Sequence, residues 1–405
     1  MSTTSLALDH FLCAVGDPIA DVQDIGPHHP EFDRAQIVRA AAGVLAKSPD
    51  ALPALAQVLR TGVGSGASPR TRAHLAAAQA WLDGDPVLAA ERYVSILRKW
   101  PHDLLAVRLA LSCWFFLGRH DRSSAAIAMI MMAWTPDQPG YTSLLAMAAF
   151  AHAENGNAEA AEALGRMALA VEPSCPMGVH AVAHAFAASG RHREGARWMR
   201  EQHAHWHTQS RMCTHNAWHL AMFDAEDGDA AAALAILDKW LLPAAESSTI
   251  DACDATGLLL RLSGQGVDDA SRWRRISDAY GRNLIPGFWP YVDIHAAIAH
   301  HAAGEPERVQ GLFDVIATRA KGADHAAHRA RTVTLPAVRA LLSGGEPSLL
   351  GAGGSRVQLG VARRPLAPRG GWKAELPLER AVERRLGLVA DVGRDPEHRD
   401  VALAQ

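Results

Sequence analysis

The chain lacks long apolar runs, closely spaced cysteines and any large excess of one charge, and each shortage removes a class of protein. No segment approaches the ~18 consecutive apolar residues of a membrane helix. The first residues, MSTTSLALDHFLCAVGD, show no basic n-region and no cleavage site. A membrane span or an export signal is therefore not expected. The cysteines (Cys13, Cys113, Cys175, Cys213, Cys253) are odd in number, and the nearest two are 38 residues apart, so the sequence writes neither a disulfide framework nor a CxxC metal site. That usage fits a reducing cytoplasm. A net charge of −3 and a pI near 6.7 leave no basic face for a phosphate backbone, so nucleic acid is not an expected partner. The glycine-rich GAGGSR from Gly351 has no strand before it and no GK[ST] after it, which removes a phosphate-binding loop. The period-2 alternation of half-buried strands is also missing. Nothing in the sequence sets an oligomeric state.

What is present is alanine, glycine at regular intervals, and histidine. Gly84, Gly118, Gly156, Gly190, Gly228, Gly264 and Gly304 each follow an alanine-rich helical segment and are spaced 34 to 40 residues apart. Between them the pattern recurs as helix A, a turn, helix B and a proline-containing connection; GNAEAAEALGRMALAVEP, ending at Pro173, and GDAAAALAILDKWLLP, ending at Pro243, are the clearest copies. Proline lacks an amide donor and disfavours a helical residue before it, so it is expected to close helix B. A period near 34 residues is that of helix-turn-helix repeat arrays. The fold class expected is all-α, a superhelical solenoid of tetratricopeptide-like αα-hairpins. Three regions follow: residues 1–69 as a helical cap (candidate helices Glu31–Ala46 and Pro49–Arg60) with a Gly/Ser-rich linker, 70–350 as the repeat array, and 351–405 as a Gly/Pro/Arg-rich segment. In the last region 351–371 is expected to pack little, and Leu378–Ala390 is a candidate helix.

The histidines are concentrated. Val179–Leu220 holds eight of the 21, and four of these form two i, i+4 pairs, His180/His184 and His215/His219. Residues four apart share one helix face. The pairs are 35 residues apart, which is about one repeat, so both are expected to face one groove from neighbouring A helices. Asp254 follows His219 by the same interval. Placing the uncommon polar residues of successive A helices along that groove yields His180 and His184, then His215, Asn216 and His219, then Asp251 and Asp254, then Asp293 and His295. By contrast His203, His205 and His207 alternate near a helix end, where they cannot share one face, and are expected in solvent. Trp218 is expected in the core.

Several motifs, in order, carry a family resemblance: RTRAHLAAAQAWLDGD, LLAVRLALSCWFFLGR, AWTPDQPGY, HAVAH, HNAWHLAMF, DACDATGLLLRL and YVDIHAAIA. Over roughly Arg70 to Ala303 the chain resembles the tetratricopeptide repeat protein 38 family. The resemblance implies a tetratricopeptide-like superhelix and brings no settled activity with it. It also implies a glutamate near the first histidine pair, whose place is taken here by Ala187, and a serine after the paired aspartates, where Gly257 stands. Near the C-terminus, Leu359 and Gly360 replace the family's arginine and aspartate.

Three readings of the histidines stand side by side. They form a polar ladder of core residues satisfied by neighbours, a ligand or catalytic site, or a metal site. For catalysis the residue types point to His184 and His219 as acid–base groups with Asp254 as the orienting carboxylate, and to His180, His215, Asn216, Asp251, Asp293 and His295 as ligand-binding residues. No serine or cysteine nucleophile is evident. No cofactor is called for; the alternative is a divalent metal on His180, His184, His215 and His219, for which zinc needs all four nitrogens ~2.0–2.1 Å from one point. At the level of function, a concave pocket that binds a small polar molecule, with hydrolysis as its chemistry, stands against a non-enzymatic scaffold holding a peptide or protein partner.

Overall fold

A computed structural model describes residues 2–206, 212–267 and 269–343, and over these the chain is all-α. The segment 351–405, including the stretch expected to pack little and the candidate helix Leu378–Ala390, lies outside the described residues, as does His207. Three longer helices open the chain, α1 (Thr3–Cys13), α2 (Phe32–Leu45) and α3 (Leu52–Thr61), with one short helical turn, Pro18–Asp21, between the first two. Seven helical pairs follow. They are α4 (Pro69–Leu82) with α5 (Pro86–Lys99), α6 (Leu104–Phe116) with α7 (His120–Met131), α8 (Tyr141–Glu154) with α9 (Ala158–Val171), and α10 (Pro176–Ala188) with α11 (His192–Glu201). Then come α12 (Cys213–Glu226) with α13 (Ala230–Ile236), α14 (Thr249–Gly264) with α15 (Ala270–Asn283), and α16 (Pro290–Ala302) with α17 (Pro306–Arg319). The helix α18 (Leu335–Leu342) closes the described part. None of the described helices is long and apolar enough to cross a membrane.

The caps explain the boundaries. Asp85, Asp103, Asn157, Asp229, Ser248 and Asp269 each accept a backbone N–H from the first turn of the helix they precede. The turn inside each pair passes through a glycine with positive φ: Gly84, Gly118, Gly156, Gly190, Gly228, Gly266 and Gly304. One position corrects the sequence reading, because Gly264 is the last residue of α14 and the left-handed turn falls at Gly266. Pro243 is a second correction. It does not close helix B but sits at the start of a further helical turn, Leu242–Ala245, after a wide π turn over Leu237–Leu241. Proline removes one amide and crowds the carbonyl four residues back, and the widened turn relieves both. The same arrangement precedes Pro336, where Ala330–Thr334 is the π turn.

The two helices of a pair have different environments. The B helices are amphipathic, whereas the A helices from α6 onward are apolar almost all round, and every residue from Pro176 to Phe186 in α10 is buried. A helix apolar on all sides must be covered on all sides. Consecutive pairs supply part of the cover: at Gly165 of α9 an added Cβ would fall 2.6 Å from Val182 of α10, so only glycine permits that approach. The remainder comes from long range. Phe288 and Trp289, which lead into α16, pack on Phe116 of α6 with ring centroids 5.7 and 5.2 Å away, and Phe288 reaches Trp81 of α4 at 6.4 Å. The seventh pair thus meets the first two, and the A helices enclose an interior. Its half-exposed positions mark where the cover is incomplete: Arg108, Ser112 and Phe115 form an i, i+4, i+7 stripe on α6, joined by Phe150, His215 and Asp251 on later A helices.

Candidate functional site

The two histidine pairs meet in this interior. One nitrogen from each of His180, His184, His215 and His219 lies within 4.8 Å of the other three. The rings touch, with centroid separations of 4.4 Å (His180–His184), 4.5 Å (His184–His219), 4.9 Å (His180–His215 and His215–His219) and 5.2 Å (His180–His219). His180, His184 and His219 are 4%, 5% and 2% exposed, and the His215 side chain is 23% exposed, so the cluster has three covered members and one at its rim.

The register that brings them together differs from the simplest expectation. Measured from their turn glycines, Gly190 and Gly228, the pairs are offset by three residues rather than equivalent. Three residues are close to one helical turn, which preserves the face and displaces the pair by roughly 4.5 Å along the axis. His219 therefore stands near the level of His180, and His215 one turn before it. The same offset puts Asp254 beside His215, not His219: His215 Nδ1 to Asp254 Oδ2 is 2.7 Å.

A second carboxylate completes the arrangement. Glu154, the last residue of α8, takes His184 Nδ1 at 2.9 Å and lies 3.6 Å from His120 Nδ1 with its other oxygen. A carboxylate thus reaches the first histidine pair from a neighbouring helix. Sequence reasoning missed Glu154, and with it Phe150, which stacks on His180 at 5.1 Å. A signal existed: Glu154 is the one acidic residue in the largely apolar YTSLLAMAAFAHAE, and it is 6% exposed.

The hydrogen bonds decide the tautomers. With Nδ1–H donated to Glu154 and to Asp254, neutral His184 and His215 each present Nε2 as a lone pair. His180 Nε2 lies 2.9 Å from His184 Nε2 and must donate to it, which leaves His180 Nδ1 as a buried lone pair with no hydrogen-bond partner among the described residues. His219 Nε2 is likewise buried without a partner. Each such group costs about 1–3 kcal/mol. Burial, and then repulsion by His184 and His215 when those rings carry a proton, hold the pKa values of His180 and His219 well below the ordinary imidazole value, so these two are neutral at pH 7. A transition metal requires neutral, converging imidazoles, and carboxylates on their far nitrogens orient them. Zinc at ~2.0–2.1 Å from each nitrogen would set them about 3.4 Å apart; here separations reach up to 4.8 Å, while His180 Nε2 and His184 Nε2 are only 2.9 Å apart, so side-chain rotation would be needed to seat the ion.

The remaining predicted site residues divide. Asp251 is half-exposed one turn before Asp254, and its pKa is raised by burial, with the Asp254 charge adding to it. His295 is buried, bonded through Nδ1 to the Tyr291 carbonyl at 2.7 Å, and near enough to Asp254 to feel its charge. Asn216 and Asp293 point elsewhere. Asn216 Nδ2 reaches the Pro176 carbonyl at 3.4 Å and ties α12 to α10. Asp293 accepts the Gly287 N–H at 3.0 and 3.1 Å, and burial pushes its pKa up to about 7. Trp218 is buried at 3% exposure and also stacks on His215, 5.2 Å away and 14° from parallel. His203 and His205 are exposed. No protein-family model matches the chain.

Proposed function

We propose that this is a tetratricopeptide-like repeat protein whose interior holds one divalent transition-metal ion on His180, His184, His215 and His219, beside which a small polar molecule is bound and hydrolysed. The observation that carries the reading is the pair of carboxylates, Glu154 on His184 Nδ1 and Asp254 on His215 Nδ1, which leave Nε2 of both rings as the ligand nitrogen in a cluster where one nitrogen of each of four imidazoles lies within 4.8 Å of the others. An all-imidazole donor set suits zinc and its neighbours in the first transition row. When bound, such an ion polarises a carbonyl or phosphoryl group and makes water acidic enough to ionise near neutral pH. The four imidazoles would hold the ion, and His215, whose side chain is the partly exposed one at the rim, would lie on the side from which a substrate could approach.

Touching rings leave room for an ion among them and not for a molecule, so His184 and His219 serve as ligands in this reading rather than as free acid–base groups. A peptide scaffold would need the A-helix face open, whereas three of the four histidines are covered. Residues 1–69 act as cap, 70–350 as array, and the motif resemblance to tetratricopeptide repeat protein 38 fits the stacked pairs. Five free cysteines fit a reducing, cytoplasmic setting.

The test is metal content and titration. The full chain, stripped and reloaded with Co(II), is expected to bind one ion with the visible absorption of a four- or five-coordinate site. His219→Gln is expected to lose it with the fold intact by circular dichroism. Absence of any Co(II) band in the wild type would overturn the proposal.

A further inference from the structure

A cavity of about 450 Å³ opens between the B helices α15 and α17, with His300 of α16 in its wall. Its volume suits a small organic molecule. None of the four clustered histidines lines it. His300 follows His295 by five residues, which is about 140° round the helix. The helix α16 therefore holds His295 near Asp254 and turns His300 toward the two B helices, where it meets Ser277 of α15.

Hydrogen bonds fix the state of the polar groups in this wall. The buried Ser277 hydroxyl donates to a Glu305 carboxylate oxygen, so His300 Nδ1–H donates to Ser277 Oγ at 2.6 Å, and Arg308 Nη1 donates to the same oxygen at 3.1 Å. His300 is 5% exposed, and its Nε2 is left as an acceptor with no hydrogen-bond partner among the described residues. Burial, and then the Arg308 charge, push the His300 pKa down to about 4, so the ring is neutral at pH 7 and Nε2 keeps its lone pair. Arg308 is neutralised by Asp278 at 2.8 Å and Glu305 at 3.3 Å. Arg282, exposed near the end of α15 and in the same wall, has no such partner among the described residues. One cation and one acceptor thus remain to be met by a ligand, beside an apolar surface of Leu284, Leu312 and Val315.

Two glycines of the facing B helices border the space. Gly281 of α15 lets the Arg308 guanidinium lie against that helix, since an added Cβ would fall 3.3 Å from Nη1. Gly311 stands inside α17, where glycine is the least favourable residue after proline, and nothing lies within 4 Å of where its Cβ would be. Packing does not require this glycine, in contrast to Gly165 against Val182, and its missing side chain leaves the wall of the cavity open. We propose that the cavity is a second ligand site, independent of the metal centre, and that it takes a small organic acid: the carboxylate on Arg282, an N–H or O–H donor on His300 Nε2, and an apolar body over Leu312 and Val315.

Calorimetry on the chelator-stripped full chain tests this with three probes: indole-3-acetate, which has the carboxylate, the donor and the apolar body; indole-3-acetamide, which lacks the charge; and 1-methylindole-3-acetate, which lacks the donor. The wild type is expected to bind indole-3-acetate at one site and each analogue about tenfold or more weakly, equivalent to ~1.4 kcal/mol. Arg282→Gln is expected to bring indole-3-acetate down to the affinity of the amide and to leave the amide's own affinity unchanged. Gly311→Leu, whose side chain enters the cavity, should abolish binding of all three. Both variants should keep the circular dichroism and the Co(II) titration of the wild type. Absence of indole-3-acetate binding, equal affinity for either analogue, or full affinity in folded Gly311→Leu overturns the proposal. Should Gly311→Leu not fold, Arg282→Gln, altered at an exposed side chain, decides: unchanged affinity for indole-3-acetate overturns the proposal as well. A wild type that binds the acid and no Co(II) sinks the metal centre alone.

Discussion

Two of the buried histidine sites among the described residues differ in how imidazoles and carboxylates are matched. Between the first two helical pairs, His74 of α4 binds Asp103 at 2.8 Å, Arg70 binds the same carboxylate oxygen at 2.5 Å, and the other Asp103 oxygen caps Ala106 N at 3.0 Å. Burial alone would raise the Asp103 pKa, but His74 and Arg70 overcome it and hold the carboxyl well below its usual range. One histidine, one arginine and one cap share one acid, and α4 is pinned to α6. The cluster of four has more imidazoles than acids. Two rings are oriented by Glu154 and Asp254, two keep buried nitrogens without partners, and the rings crowd one another. The first site also keeps one buried imidazole nitrogen without a hydrogen-bond partner among the described residues, His74 Nδ1, so what sets the second apart is four rings crowded around two acids.

The comparison can be broken at either site. The largest effect is expected from Asp103→Ala, which removes a buried acceptor and a helix cap together and should lower the unfolding free energy by roughly 2–4 kcal/mol in a denaturant titration. Metal binding by the folded variant should be unaltered. If Asp103→Ala is neutral, the pin between α4 and α6 is not structural.

Glu154→Gln comes next. It keeps the shape of the side chain but no longer favours the Nδ1–H tautomer of His184, so metal affinity should fall by about 10–100-fold, as for other outer-shell partners. Stability of the metal-free protein should change little. Unchanged affinity would mean that Glu154 belongs to His120 and the core.

The smallest effect is in acid. His180 and His219 have folded pKa values below their unfolded value, so the native state loses stability as pH falls through the unfolded value near 6.5 toward the folded one, because the unfolded chain takes up the proton first. Asp293 runs the other way. Its folded pKa of about 7 is raised above the unfolded value, so its contribution is full at low pH and fades as pH rises through 7. Its slope is common to wild type and His219→Gln and cancels in their difference. Metal-free wild type should therefore lose up to about 2 kcal/mol more than His219→Gln between pH 7 and pH 5. Parallel acid profiles would mean that the imidazoles do not crowd one another.

The sequence by itself determined the helical pairs and the pairing of the histidines. Both are local: glycine at left-handed turns, Asp, Asn and Ser at caps, and i, i+4 spacing act within a few residues and survive any tertiary arrangement. Even there, Gly264 and Pro243 mislead, because a neighbouring Gly266 was free to take the turn and a π turn was free to absorb the proline. Only the tertiary structure decided which residues complete the site. Glu154 reaches His184 from another helix, Asp254 selects His215 because the pairs are staggered by one turn, and Asn216 and Asp293 turn to backbone partners instead. The seventh pair packs back onto the second through Phe288 and Trp289 on Phe116, a long-range contact that no local pattern announces. Periodicity states which face of a helix a residue occupies; where along that face it meets another helix depends on the axial offset of the packed pair, which side-chain packing sets and no local pattern encodes.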